Sequence, residues 1–196
     1  MDVVIFLDGS GYVSLDMFRA VKQFIKQLAK SVKLHPNLTK IIVVYVNDTA
    51  HVIRSYYKTY TKPKPKPLAT FLHELEELHY QGMKAKPPSP LVLVNGLSLL
   101  LPEHAFRKNE KLHVIWFAKY DEGLLHGLAE VARNMVKKDR LKWYLTRWGT
   151  VSLSQLRLMM PAPMQVFNLA EETTAADGVK QFAQHFYDHM EGKYRV

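Results

Sequence analysis

Three long apolar runs constrain the fold of this chain more than any other feature. They occupy residues 3–7, 41–46 and 112–118, of which the last contains one polar residue, His113. A strand that faces solvent on one side alternates apolar and polar residues, whereas a strand covered on both sides is apolar throughout. Each run therefore predicts a central strand in a sheet with helices packed on both faces.

The segments between these runs have a different periodicity. After the first run, apolar residues recur at intervals of three and four, which predicts an amphipathic helix. Residues 50–57 follow the second run after only three residues, a link too short for a parallel crossover, so they predict an antiparallel hairpin strand. Further strands are predicted at 143–148 and 164–169, and further helices at 68–79, 91–101, 123–137, 153–159 and 173–190.

This order of elements predicts an α/β fold with a mostly parallel central sheet, one antiparallel edge strand and helices on both faces. The 196 residues, 47% of them hydrophobic, are enough for one domain spanning residues 1–196. Because the chain has no cysteine, disulfides, thiolate zinc sites and cysteine nucleophiles are excluded. Neither a signal peptide nor a membrane-spanning segment is predicted, since the apolar stretches are too short.

The charge is unbalanced and locally concentrated. The chain has 27 Lys and Arg against 18 Asp and Glu, a formal net charge of +9, which favours acidic protein surfaces or nucleic acids as partners. Lysine alternates with proline at Lys62, Lys64 and Lys66, and this pattern predicts an exposed, extended loop that forms neither helix nor sheet. These three lysines are candidate binding residues.

Residues 140–148 mix basic and aromatic side chains, a combination that suits single-stranded nucleic acid. In a strand, however, every second side chain points into the core, so Trp143 or Trp148 is also explained by packing. Nucleic-acid binding through the basic patches is therefore one alternative function.

The first apolar run ends in Asp8-Gly9-Ser10, and together with the antiparallel edge strand and the order of elements this turn resembles the von Willebrand factor A (VWA) family over essentially the whole chain. In that family the turn carries a D-x-S-x-S motif that binds Mg²⁺ with a threonine and an aspartate from later loops. Carboxylate and hydroxyl oxygens are the ligands that Mg²⁺ prefers. Asp8 and Ser10 match the first two positions, whereas Tyr12 stands at the third.

The later positions of this family motif depart further. Ser89 aligns with the threonine, and Lys119 aligns with the aspartate. An ammonium there would compete with a cation and could pair with Asp8 instead. The resemblance therefore implies a degenerate site that binds neither metal nor another cofactor. If Mg²⁺ did bind, its ligands would be Asp8, Ser10 and Ser89.

A degenerate site of this kind is similar to those of intracellular VWA proteins that are structural subunits of large assemblies, such as subunits of the transcription factor TFIIH and of Mediator, the proteasomal ubiquitin receptor and a deubiquitinase-complex scaffold. The resemblance implies a cytoplasmic or nuclear, non-enzymatic scaffold whose partners are other protein subunits. The expected contact residues surround the strand-end crevice and the basic loop, with Tyr12 either an interface anchor or a cap of the following helix. They are Asp8, Ser10, Tyr12, Ser89, Lys119, Lys62, Lys64 and Lys66.

A PIN or NYN-type ribonuclease is a second alternative, because such enzymes also place an aspartate at the end of the first strand. Several carboxylates must then converge on a divalent ion, and Asp48 and Asp121 are the candidates to join Asp8. Lys119 and Arg147 stand where this reading needs further acids.

The last predicted helix carries His185 and His189 at a spacing of four, which places both imidazoles on one face. A zinc pair needs a third ligand at a recognisable spacing, and none is found. Surface histidines are therefore the favoured interpretation.

Overall fold

The computed structural model describes residues 1–11, 13–57, 63–82, 84, 112–119, 141–148, 164–168 and 174–190. The helices among them are α1 (Leu15–Ser31), α2 (Leu68–Glu76) and α3 (Ala175–Asp188). The predicted helices at 91–101, 123–137 and 153–159 lie outside these residues. The strands are β1 (Asp2–Asp8), β2 (Lys40–Val46), β3 (Ala50–Arg54), β4 (Tyr56–Tyr57), β5 (Lys64–Pro65), β6 (Leu112–Lys119), β7 (Leu141–Trp148) and β8 (Met164–Asn168).

Six of these strands form one sheet in the order β3-β2-β1-β6-β7-β8. Neighbouring strands are parallel from β2 to β8, and only β3 runs antiparallel, alongside β2. The predicted fold class and the antiparallel edge strand are thus confirmed. The chain builds outward from β1 on one side and then crosses to the other, so the order reverses between β1 and β6. Such a reversal opens a crevice at the carboxyl ends of the two strands.

The sheet is buried on both faces, as the apolar runs predicted. In β1, Val3, Ile5 and Leu7 belong to the core that α1, α2 and α3 share with the sheet. Val4 and Phe6 point to the opposite face and are each only 1% exposed. Alternate residues of one strand are therefore equally excluded from water, which requires cover on each side.

Helix α1 packs beside α3 on one face of the sheet. It begins at Ser14, whose hydroxyl accepts a hydrogen bond from the Met17 amide at 3.1 Å and so caps the first turn. Phe24 is the centre of the interface, since its ring meets those of Phe117 and Phe182 edge to face at 5.8 and 5.6 Å. Edge-to-face pairs of this kind add to the stabilisation that burial provides. The apolar residues that recur at intervals of three and four after the first run are buried, namely Phe18, Val21, Ile25 and Leu28 in α1 and Val32 directly after it.

Residues 50–57 do not form the single strand that the sequence predicted. The ladder with β2 is interrupted at Ser55, whose hydroxyl accepts a hydrogen bond from the Ile41 amide at 2.8 Å. The chain then turns away, and Tyr56–Tyr57 pairs with Lys64–Pro65. The expectation that alternating proline prevents sheet pairing is therefore wrong for this two-residue ribbon, because proline lacks a donor but keeps a carbonyl acceptor.

Helix α2 ends at Glu76, three residues earlier than predicted. Its last carbonyl groups receive an external donor, because the Lys22 ammonium donates to the carbonyl oxygens of Glu76 at 3.1 Å and Leu78 at 3.0 Å. A cation at the carboxyl end of a helix is also favoured by the helix dipole. None of the helices that the structure describes is long and apolar enough to cross a membrane.

Candidate functional site

The turn after β1 buries the two residues that match the metal-site motif. Asp8 is 4% exposed and Ser10 is fully buried. One Asp8 carboxylate oxygen accepts a hydrogen bond from the Ser10 backbone amide at 2.8 Å. Burial raises the pKa of the Asp8 carboxyl, while hydrogen bonds from Ser10 act in the opposite direction. Both residues therefore hold the turn together, and their part in binding a partner stays a prediction.

Backbone hydrogen bonds join this turn to two other segments. The Gly9 amide donates to the Val46 carbonyl at 2.9 Å, which ties the turn to the end of β2. The Gly9 carbonyl accepts from the amides of Gln81 at 2.9 Å and Gly82 at 3.1 Å. Gly82 has φ +58°, a conformation that favours glycine, and Ser10 bridges to it. Three separate parts of the chain thus meet at one end of the sheet.

Tyr45 completes this junction, a role that was not predicted from the sequence. Its hydroxyl donates to the His79 carbonyl at 2.7 Å and accepts from the Asn47 amide at 3.4 Å. The ring lies against Gly9 and is 7% exposed. Burial raises the Tyr45 pKa, a hydrogen bond from Asn47 lowers it, and the nearby Asp8 charge raises it. A tyrosine within an otherwise aliphatic strand is the only sequence signal that could have identified it.

The structure describes the side chains at two of the family's Mg²⁺ motif positions, Asp8 and Ser10. Because Mg²⁺ keeps several waters when it binds a protein, these two side chains would supply only part of its coordination sphere, and the absence of a metal stays a prediction. Across the described ranges no three His, Cys, Asp or Glu side chains are grouped as metal ligands.

Several predicted site residues cannot be placed. Tyr12, Ser89 and Lys62 lie outside the described residues. Lys119 is the last residue of β6, the strand next to β1, so its backbone stands at the crevice edge. Its side chain is outside the described set, and the Lys119–Asp8 salt bridge stays a prediction.

The two described lysines of the basic loop differ from each other. Lys64 is exposed, as predicted. The Lys66 side chain is only 8% exposed, and its ammonium contacts both Glu74 carboxylate oxygens at 2.8 Å. It also lies 5.1 Å from the centre of the Tyr57 ring. Lys66 therefore joins the ribbon to α2, in contrast to the predicted exposed loop.

The nuclease alternative gains little support from the described residues. Asp8 is buried, and Asp48 is exposed in the turn between β2 and β3. Asp121, the third candidate, lies outside the description. Asp8 and Asp48 thus lie in different environments, whereas metal-assisted hydrolysis requires carboxylates that converge on one ion, and the nuclease alternative stays a prediction.

The basic and aromatic segment 140–148 contributes β7, which is an interior strand of the sheet. Tyr144 is 5% exposed, and its ring stacks on His113 with centroids 5.6 Å apart. Tyr144 is therefore a core residue and cannot stack on a nucleotide base. The side chains of Trp143 and Trp148 lie outside the described set.

The predicted histidine pair closes the end of α3. The rings of His185 and His189 are stacked with centroids 4.0 Å apart, and His189 Nδ1 lies 2.8 Å from the His185 carbonyl oxygen. Burial and the neighbouring His189 lower the His185 pKa, while Asp188 raises it. The backbone contact uses one His189 nitrogen, so the pair suits the termination of a helix better than zinc binding.

Several solved structures share the fold of this chain. A von Willebrand factor type A protein from Catenulispora acidiphila is similar over 93% of this chain and 41% of its own, with a TM-score of 0.59 and 17% identity. Proximal thread matrix protein 1 from the mussel byssus is similar over 94% of this chain and 44% of its own, with a TM-score of 0.59 and 14% identity. The SpRpn10 VWA domain is similar over 92% of this chain and 94% of its own, with a TM-score of 0.57 and 14% identity.

Because the sequence identities are so low, the similarity to these structures shows the fold alone. The chain spans less than half the length of the first two proteins. No curated protein sequence matches this chain. The family model of the von Willebrand factor type A domain matches residues 2–181. The chain therefore belongs to the von Willebrand factor type A domain family.

Proposed function

We propose that this domain is a non-catalytic interaction subunit of an intracellular multiprotein complex, in the cytoplasm or nucleus. Partner proteins would contact the strand-end crevice at Tyr12, Ser89 and Lys119, and the basic loop at Lys62 and Lys64. VWA domains often mediate protein–protein interactions, which supports the general function. The observation that best supports a non-catalytic role is the buried Asp8–Ser10 turn.

Two properties of the turn support this proposal. Asp8 is almost fully buried, and its carboxylate is used by the Ser10 amide in the same turn. A carboxylate that is to activate water or hold a cation must present oxygen atoms to the reacting group. We therefore extend the proposal to the absence of a metal, a cofactor and an enzymatic activity.

The same contacts favour a binding surface. The turn is fixed to the end of β2 through Val46 and to residues 81–82 through the Gly9 carbonyl. A surface fixed before binding loses little conformational entropy when a partner docks. Side chains around the rim can then contribute contacts without a rearrangement of the backbone below them.

A quantitative affinity purification tests this proposal. The bait variant combines Tyr12→Ala with Lys119→Ala, and the control combines Leu38→Ala with Lys180→Ala, which truncates an exposed apolar and an exposed basic side chain elsewhere. We expect the crevice variant to lose at least one partner that the control retains. If both baits retain every partner at equal abundance, the crevice is not the binding surface.

Metal binding and nuclease activity are tested on the same preparations. We expect Mg²⁺ and Mn²⁺ to produce no saturable shift of the melting temperature, because a ligand that binds the folded state would raise it. We also expect no cleavage of single-stranded RNA in Mn²⁺. Cleavage that disappears in an Asp8→Asn variant would replace the scaffold proposal with the ribonuclease alternative.

A further inference from the structure

We infer that a cleft between α1 and residues 76–80 is a docking site for an acidic peptide segment with an apolar anchor, presented by a partner protein. The inference rests on the proposed function in one respect, namely that the domain acts by binding proteins. It concerns a different surface from the strand-end crevice. Three properties of the cleft support it: a partly apolar floor, a basic rim and a carboxylate of the chain itself, Glu76, that pairs with the rim.

The cleft is large enough for one side chain, and part of its lining is apolar. The cleft encloses about 300 Å³, and Phe18, Leu78 and Tyr80 line it. Phe18 and Tyr80 lie with their ring centres 5.7 Å apart, and the Tyr80 hydroxyl donates to the Val13 carbonyl at 2.7 Å. Leu15 at the rim is 39% exposed, which is high for a large apolar residue. A leucine or phenylalanine of a partner would bury apolar surface here.

The rim of the cleft is predominantly basic. Of its charged side chains, Arg19, Lys22 and Lys26 are cationic and Glu76 is anionic. The three cations are three and four residues apart on α1, and the exposed Lys30 continues the same face one turn further. A partner that carries carboxylates beside its apolar anchor is therefore complementary in charge.

The Glu76 carboxylate is already paired with the basic rim. It contacts Lys26, and its other oxygen lies 3.3 Å from Lys22. The Lys22 ammonium is fixed by two backbone carbonyls, and its side chain is only 11% exposed. The Glu76 side chain, in contrast, is 51% exposed. Glu76 thus occupies the position that we assign to a carboxylate of the partner.

A protein segment suits this cleft better than a nucleic acid. Phosphate groups would find the basic rim attractive, but they gain nothing from the floor that Phe18, Leu78 and Tyr80 provide.

Fluorescence anisotropy with a labelled peptide, Asp-Asp-Leu-Phe-Asp-Asp, tests the inference with the full chain. Two control peptides replace either the Leu-Phe pair by Gly-Gly or all Asp by Asn. We expect saturable binding of the first peptide only. Arg19→Glu and Lys26→Glu should each weaken it about tenfold, because each reverses a charge at the rim. Lys180→Glu makes the same change on α3, where the side chain is 77% exposed, and should leave the affinity unchanged.

Glu76→Gln is the decisive variant, since misfolding cannot produce tighter binding. We expect it to bind the peptide about threefold more tightly, because a competing surface carboxylate is removed. The inference is wrong if the wild-type protein does not bind the peptide, if the Gly-Gly peptide binds equally well, or if Lys180→Glu weakens binding as much as Lys26→Glu. Preference for an oligothymidylate of the same charge would also overturn it, in favour of nucleic acid.

The two proposals fail separately. Lack of peptide binding, combined with loss of partners by the crevice variant, rejects the cleft and leaves the proposed function intact. Peptide binding that follows the expected order of variants, combined with unchanged purification by the crevice variant, supports the cleft and rejects the crevice.

Discussion

The Tyr45 ring lies so close to Gly9 that no side chain fits between them. A Cβ atom built on Gly9 would lie 2.6 Å from the Tyr45 hydroxyl oxygen and 2.7 Å from Cζ. The same hydroxyl bonds to the His79 carbonyl, and the Gly9 carbonyl accepts from residues 81–82. The absence of a side chain at Gly9 therefore allows β2, the first turn and the segment before Gly82 to meet.

Gly9→Ala should destabilise the domain by about 1–3 kcal/mol, because the added methyl group forces the ring or the turn to move. Urea unfolding followed by tryptophan fluorescence measures the change. In a Tyr45→Val background, where the ring is gone, the same substitution should cost clearly less. An equal cost in both backgrounds would show that the ring is not the obstacle.

The sheet could be predicted from the sequence because burial on both faces leaves a direct pattern. Residues 41–46 are apolar without interruption, and the strand that they form has neighbours on both sides. The short link to residue 50 in turn required an antiparallel neighbour. The break at Ser55 could not be predicted in this way, since it depends on a side-chain hydrogen bond to Ile41, 14 residues away.

The candidate site was less predictable, because its contacts join distant segments. The motif identified Asp8 and Ser10, but their burial depends on the whole junction. Tyr45 lies in a run that any core strand could contain, and its hydroxyl partner is 34 residues away. The identity of Lys66 as an ion-pair partner depends on where α2 places Glu74, which the composition of the loop does not reveal.

Lys66→Met should destabilise the domain, whereas Lys64→Met should not. Lys66 is almost buried against Glu74 and Tyr57, so its loss leaves a carboxylate without its cation. We expect a cost of about 1–2 kcal/mol, less than for a fully buried pair because Glu74 can still be hydrated. Lys64 is exposed, and its substitution should change stability by less than about 0.5 kcal/mol. Equal melting temperatures for the two variants would contradict this distinction.

Glu76→Gln should show a loss of stability that depends on pH. A hydrogen bond from Lys26 lowers the Glu76 pKa below its ordinary 4.5, and a hydrogen bond from Lys22 and the Lys22 charge lower it further. The stability that this carboxylate contributes is therefore present above pH 4.5 and lost as the pH falls below it. At pH 7 the variant should be about 0.5 kcal/mol less stable, a typical value for an exposed pair.

Denaturant unfolding of wild-type protein and Glu76→Gln, at pH 7 and at steps below pH 4.5, measures this difference. The two free energies of unfolding should converge as the pH falls. A difference that stays constant over this range would mean that the carboxylate charge is not responsible. Glu77→Gln is the matched control, because Glu77 is exposed and directly follows Glu76.

Tyr187→Phe should make the domain more resistant to alkali. Burial raises the Tyr187 pKa to about 12 from an ordinary 10.0, although a hydrogen bond with Ser31 partly offsets this effect. Between these values the unfolded chain loses the proton that the folded chain retains. The contribution of Tyr187 is thus fully present below pH 10.0 and declines as the pH rises toward 12. At pH 11 the wild-type protein should have lost about 1 kcal/mol that the variant keeps, measured as the change in unfolding free energy from pH 9.

Tyr57→Phe is the matched control, because Tyr57 is exposed. Its unfolding free energy should fall with pH as steeply as that of the wild-type protein. Identical slopes for all three proteins would exclude Tyr187 as the cause.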